Sequence, residues 1–144
     1  MTVLEQVMLI AQLASTLPLV GLIWTIQVVH YPLFSLVGES SQVRYQRTHM
    51  DRITWVVGPL MLVELVATGT LVALTPLDPL ALAGALLLAV IWVSTALFQV
   101  PCHGRLLEGF DAGIHRRLVT TNWVRTGAWT GRGIVVVIMA IAGL

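Results

Sequence analysis

The residues able to do chemistry in this chain are four histidines, two side-chain amides and a few arginines set in a very apolar background. Thr48-His49-x-x-Arg52 and Thr121-Asn122-x-x-Arg125 each place an imidazole or an amide close to one helical turn from a guanidinium. Donors aimed this way suit an anionic or carbonyl oxygen, as in oxyanion sites. The same arginines equally suit anchoring to lipid phosphate at a membrane interface. His49, His103, Asn122 and Arg125 are the candidate catalytic residues, with the imidazoles as acid–base groups. His30, Arg52, Gln99 and His115 are the candidates for holding a bound molecule. His30 and His103 also occupy positions that a bis-histidine haem would require, so the cofactor stays unknown. The chain has no Glu-x-x-His pair, no His-Glu-x-x-His and no Cys-x-x-Cys. A carboxylate-bridged di-iron bundle or a thiolate site is therefore not expected, and no metal is assigned. The alternative for the histidines is structural: interfacial rings that hydrogen-bond between helices.

A second constellation is a pair of opposite charges. Glu64 lies in the apolar run Gly58 to Ala73, and Arg132 precedes the apolar run Gly133 to Leu144. An ionised side chain at mid-bilayer costs about 2.5–3.5 kcal/mol on insertion scales, so such groups face inward and find partners. Together the two predict a buried ion pair. Counted inward from Arg52 and Arg125, their depths differ by about 8 Å at 1.5 Å per residue. Helix tilt, Pro59 and the reach of arginine can close that gap.

The elements that must position these groups follow from composition. Of 144 residues, 57% are hydrophobic and 10% charged, against about 25% charged in soluble domains. The expected class is all-α: a four-transmembrane-helix up-down bundle in one integral membrane domain spanning 1–144. The spans are expected at about residues 6–29, 53–75, 80–100 and 121–144, with a kink at Pro18. Helices two and four should extend beyond the membrane. Thr75-Pro76-Leu77-Asp78-Pro79 reads as a tight turn, and the two other connections read as longer and polar. The start Met1-Thr2-Val3-Leu4-Glu5 has no basic segment, so the first span is expected to be retained rather than cleaved. The one cysteine, Cys102, rules out a disulfide within the chain. Net charge is +1, which implies no nucleic-acid partner; the lipid bilayer is the expected surrounding, and an oligomer is open. Arg44, Arg47, Arg52, Arg105, Arg116 and Arg117 all lie in or beside the two longer connections. The positive-inside rule puts these in the cytoplasm and both termini outside the inner (plasma) membrane.

Periodicity sorts the polar groups onto faces. His115, Asn122, Arg125, Thr126, Trp129 and Arg132 fall within an arc of about 120° on the fourth helix. Tyr45, His49, Arg52 and Glu64 do so on the second, Trp92, Thr95, Gln99 and His103 on the third, and Trp24, Gln27 and His30 on the first. Such faces turn toward one another in lipid, which predicts a core polar toward the cytoplasm and apolar toward the outside. The five tryptophans form either an interfacial belt or a wall around an apolar ligand. A displacement of about 73 positions superposes His30 on His103, Arg44 on Arg117, Thr48 on Thr121 and Arg52 on Arg125. That is the pattern of two tandem helical hairpins.

The run His115-Arg116-Arg117-Leu118-Val119-Thr120-Thr121-Asn122-Trp123-Val124-Arg125-Thr126 resembles the last helix of anthrone-oxygenase-like membrane proteins. The whole chain, through this run and Gln27-Val28-Val29-His30-Tyr31-Pro32-Leu33-Phe34, resembles a group of bacterial four-helix integral membrane proteins. The oxygenase resemblance implies metal-free oxidation of a lipophilic aromatic, carried over to His115, Asn122 and Arg125. Three function classes follow. One is a membrane enzyme on a quinone or polyaromatic substrate. Another is a structural or assembly subunit without chemistry. The third is a proton-coupled transporter subunit using Glu64, and the nearby Arg132 counts against it.

Overall fold

The computed structural model describes residues 1–143 as four helices, each long and apolar enough to cross a membrane: α1 (Val3–Leu36), α2 (Glu39–Leu74), α3 (Pro79–Leu106) and α4 (Ala112–Ala142). The protein is an all-α four-helix membrane bundle. Its exterior is the apolar side: Ile10, Leu17, Val66, Leu86, Leu97 and Ile134 are exposed, whereas Gln12, Thr16, Gln99, Asn122 and Arg132 are buried. This inversion is what lipid solvent selects, because the hydrocarbon accepts leucine but not amides or charges.

Three of the four helices start where the sequence supplies a side-chain cap, and α2 starts at Gly38 without one. Thr2 and Glu5 form a capping box on α1. Asp78 accepts from the Ala81 amide at 2.6 Å, with Pro79 in the first turn of α3. Asp111 accepts from Ile114 at 2.8 Å to start α4. The last turn of α4 ends on Gly143 at φ 75°, a left-handed position that suits glycine. The expected end of the fourth span at Leu144 lies outside the described residues.

The helices are longer than the hydropathy spans. α1 and α2, at 34 and 36 residues, run about 51 and 54 Å, well beyond a hydrocarbon core of about 30 Å. The polar stretches read as longer connections are therefore mostly helical. Only residues 37–38 join α1 to α2, and residues 107–111 join α3 to α4. The helix runs through Pro18 and Pro59 as regular α-helix. The breaks in hydrogen-bond class come instead at Ile26–His30 and Thr95–Gln99, two single π-turns. Each lies just before a proline, Pro32 or Pro101. A proline ring clashes with the carbonyl four residues back. In each case the residue before the proline donates to the carbonyl five back, Tyr31 N–H to Ile26 O and Val100 N–H to Thr95 O, so the turn is widened just ahead of the ring.

The interior is layered. Leu9, Leu71, Ala81, Val136 and Met139 pack at the end bearing the termini; Leu19, Ile23, Met61, Ile91 and Trp129 form the middle; Ile26, Phe34, Leu106 and Leu118 pack near the connections. A charged layer separates the first two, and a larger polar layer lies between the last two. The expected gradient, polar at one end and apolar at the other, is replaced by two polar layers at different depths. α1 packs closely on α2 and α4, and α3 on α4, while the seam between α2 and α3 is the loosest of the four.

Candidate functional site

All four helices build the charged layer. Arg132 Nε donates to Glu64 Oε1 at 2.6 Å, and neither side chain is exposed. Thr16 donates to the same oxygen at 2.7 Å, and Trp129 Nε1 donates to Glu64 Oε2 at 3.2 Å. Arg132 Nη1 reaches the Gly84 carbonyl at 2.6 Å, and Nη2 reaches Gln12 Oε1 at 3.2 Å and the Thr68 hydroxyl. Gly84 suits this close approach: a Cβ there would stand 3.1 Å from Arg132 Nη1. Every nitrogen of the guanidinium and both carboxylate oxygens are engaged. The layer joins the four helices and leaves no group over for a ligand.

The second polar layer is different in kind. It borders a cavity of about 400 Å³ at the loose α2–α3 seam, a size within the range of small-molecule sites. Its apolar walls include Ile53, Val57, Met61, Leu62 and Val100, and its polar lining is Tyr31, His49, Trp92, Gln99, His103 and Arg125. Leu62 and Val100 are also exposed on the outside of the bundle, so the cavity reaches the bundle's apolar exterior sideways.

The polar lining forms a connected chain of hydrogen bonds. The Gln46 amide nitrogen faces His103 Nδ1. With the amide in that orientation the His103 proton sits on Nε2, which lies 2.9 Å from the Tyr31 hydroxyl. Tyr31 donates to Gln99 Oε1 at 3.4 Å, and Gln99 Nε2 donates to Thr121 at 3.0 Å. His49 stands beside His103, ring centroids 5.6 Å apart, and its Nδ1 lies 2.8 Å from His30 Nε2. The Tyr31 hydroxyl also lies beside the Arg125 guanidinium. The π-turns contribute here: Tyr31 follows the first directly and Gln99 closes the second.

Four of the expected residues, His49, Gln99, His103 and Arg125, line this cavity; four others do not. Asn122 is buried behind it, donating to Gln27 Oε1 at 2.9 Å and accepting from Arg125 Nη1 at 3.2 Å. Both faces of its amide are used within the protein, so Asn122 positions Arg125 rather than touching a ligand. His30 lies behind His49 in an outer groove with Tyr45 and Thr48. Arg52 lines that groove too and is exposed, because its place on α2 points out of the bundle while Arg125 on α4 points in. His115 Nε2 donates to the Tyr31 carbonyl, 2.8 Å away, and the residue fastens α4 to α1. The aromatic residues divide between the two readings. Trp24, Trp55 and Trp123 are exposed as a belt would be; Trp92 lines the cavity; Trp129 is a core residue under Arg125, its ring 5.0 Å from the guanidinium carbon.

Tyr31 and Gln46 were not legible as site residues. Tyr31 enters the sequence reading only within the run 27–34, and Gln46 sits in a segment that reads as a connection. Among the described residues, no three His, Cys, Asp or Glu side chains are placed to share a metal ion. Comparison with protein-family models, curated proteins and solved structures finds no match to this chain.

Proposed function

We propose that this protein binds a lipophilic aromatic carbonyl or phenol, a quinone or polyaromatic ketone, from the bilayer and does acid–base chemistry on it. The observation that carries this reading is the cavity at the α2–α3 seam, apolar-walled, bordered by lipid-facing Leu62 and Val100, and lined on one side by Tyr31, Gln99, His103 and Arg125. A molecule dissolved in the membrane reaches such a cavity without crossing water. Its ring system lies against Ile53, Val57, Met61 and Trp92, and its oxygen meets donors. The Tyr31–His103 pair supplies a phenol and an imidazole in contact, able to give a proton to a ligand oxygen or take one from it. The anthrone-oxygenase-like resemblance points to the same substrate class, with Arg125 as the residue common to both readings. A structural subunit needs no cavity, and a proton-coupled transporter needs an available carboxylate, whereas Glu64 is fully engaged.

We further propose that the two arginine-rich connection ends are cytoplasmic, with the termini and the Asp78 turn outside the inner membrane. In a background lacking Cys102, an impermeant thiol reagent added outside intact cells should label Asp78→Cys and spare Arg116→Cys. The reverse pattern inverts the orientation.

Binding is tested with menadione titrated into the protein in nanodiscs, read by quenching of tryptophan fluorescence. Gly58→Phe is the control. Gly58 borders the cavity, and a Cβ there meets only Thr54 Cγ2 at 3.9 Å, so the backbone has room for a side chain, whose ring is expected to fill the cavity. Saturable quenching in the parent, weakened about tenfold or more in Gly58→Phe, supports the site. Equal quenching in both removes it.

A further inference from the structure

Arg125 is a buried cation without a counter-ion. It is 7% exposed, and arginine keeps its charge in proteins. Among the described residues the ion pair is Glu64–Arg132, and Glu64 is already occupied by Arg132, Thr16 and Trp129. The partners Arg125 does have are neutral: Asn122 Oδ1 at 3.2 Å, the Tyr31 hydroxyl, and the face of Trp129. Its Nε is buried with no hydrogen-bond partner, and so is the Trp92 indole nitrogen. Both residues line the same cavity. A membrane bundle rarely keeps an unpaired charge and two unsatisfied donors on residues that border one cavity unless something completes them.

We propose that the cavity takes a lipophilic acid: an apolar ring system whose carboxylate, phenolate or enolate oxygen pairs with Arg125 and accepts from Trp92. This rests on the cavity binding a membrane-soluble aromatic, and it narrows that class from any carbonyl compound to one that is anionic when bound. Asn122 is the positioning residue, holding the guanidinium through Nη1 while Nε is left without a protein partner. The donors of Arg125 and Trp92 then meet a negatively charged oxygen, which strengthens each hydrogen bond relative to a neutral carbonyl.

The test compares two ligands that differ in charge and little else. One is 3-alkyl-2-hydroxy-1,4-naphthoquinone, an enolate at neutral pH; the other is its 2-methyl ether, which is neutral. Both are titrated into parent, Arg125→Met, Arg125→Lys and Gly58→Phe proteins in nanodiscs of zwitterionic lipid. The parent should bind the enolate about tenfold or more tightly than the ether, the preference expected of a charge-assisted over a neutral contact. Arg125→Met should bind both alike, at the parent's affinity for the ether, and Arg125→Lys should keep part of the preference. Equal binding of both by the parent, abolished in Gly58→Phe, overturns the acid and leaves the cavity reading standing. Binding of neither, or binding that Gly58→Phe does not affect, overturns both. Should Arg125→Met fail to fold, the Arg125→Lys protein and the parent's own preference decide the matter.

Discussion

Arg125 and Arg132 lie two turns apart on the same face of α4, and they differ in almost every other respect. Arg132 is fully enclosed, its three nitrogens engaged by groups from α1, α2 and α3. Arg125 faces a cavity, meets no carboxylate and leaves Nε unpartnered. Trp129 stands between them, stacked under one and hydrogen-bonded to the carboxylate of the other. One helix thus carries a charge spent on architecture and a charge held in reserve. What separates them is the supply of acceptors at each depth. Around Arg132, Glu64, Gln12, Thr68 and the bare Gly84 carbonyl converge. Around Arg125, the facing groups are Tyr31, Trp92 and His103, and the helices part.

The largest effect should come from removing the paired charge. Arg132→Met strands the Glu64 carboxylate in a sealed interior and should cost about 3–5 kcal/mol, read as a lower melting temperature in detergent. Glu64→Gln should also destabilise, since it strands Arg132. Glu64→Gln with Arg132→Met should recover part of the loss. Strictly additive losses would mean that the two groups do not act as a pair, and would return Glu64 to candidacy as a titrating transport group.

Gly84→Ala tests the same layer without touching a charge. The new Cβ would press to 3.1 Å on Arg132 Nη1 and push the guanidinium off the carbonyl it donates to. A loss of about 1–3 kcal/mol is expected, typical of overpacking a tight site. A neutral result would show that α3 gives way and that the carbonyl contact is dispensable.

Which parts of this difference can be read in advance depends on how local the signal is. Spacing is local, so the stripe Trp92, Thr95, Gln99, His103 maps directly onto one wall of the cavity. A charge in an apolar run is local too, and Glu64 with Arg132 stands out at once. The small residues that complete their layer are readable in hindsight, because Gln12 with Thr16 and Glu64 with Thr68 are polar pairs four apart in otherwise apolar turns. Pairing across the bundle is not local. Arg52 and Arg125 occupy matching places in the internal repeat, yet one is exposed and the other buried. The repeat fixes spacing along the chain but not the rotation of each helix about its axis. The π-turns shift that rotation, and proline alone does not announce them: Pro18 and Pro59 sit in regular helix, Pro32 and Pro101 after a widened turn.

Arg125→Met should separate the two arginines most clearly, because its expected effect on stability has the opposite sign. It removes a buried charge that has no counter-ion, so the ligand-free protein should melt at the same temperature as the parent or slightly higher. A loss as large as that of Arg132→Met would mean that Asn122, Tyr31 and Trp129 satisfy Arg125 after all, and the two residues would then play the same role. Tyr31→Phe should cost less than Arg132→Met, about 1 kcal/mol for a deleted buried hydroxyl with the His103 and Gln99 contacts left unpaired.

The smallest effect is expected at Arg52, and it sharpens the comparison from outside. By sequence Arg52 is the counterpart of Arg125, one turn from His49 as Arg125 is from Asn122. Its side chain instead lies in the outer groove with Tyr45, Thr48 and His30, in reach of water and lipid headgroups. An exposed charge without a protein partner contributes little, so Arg52→Gln should leave the melting temperature within the equivalent of about 0.5 kcal/mol. It should also leave naphthoquinone binding unchanged, since no part of it lines the cavity. A clear loss of binding in Arg52→Gln would connect the groove to the cavity through His49, which lines both. The enolate preference assigned to Arg125 would then be shared by two arginines that the repeat relates, and the contrast between an inward and an outward guanidinium would no longer hold.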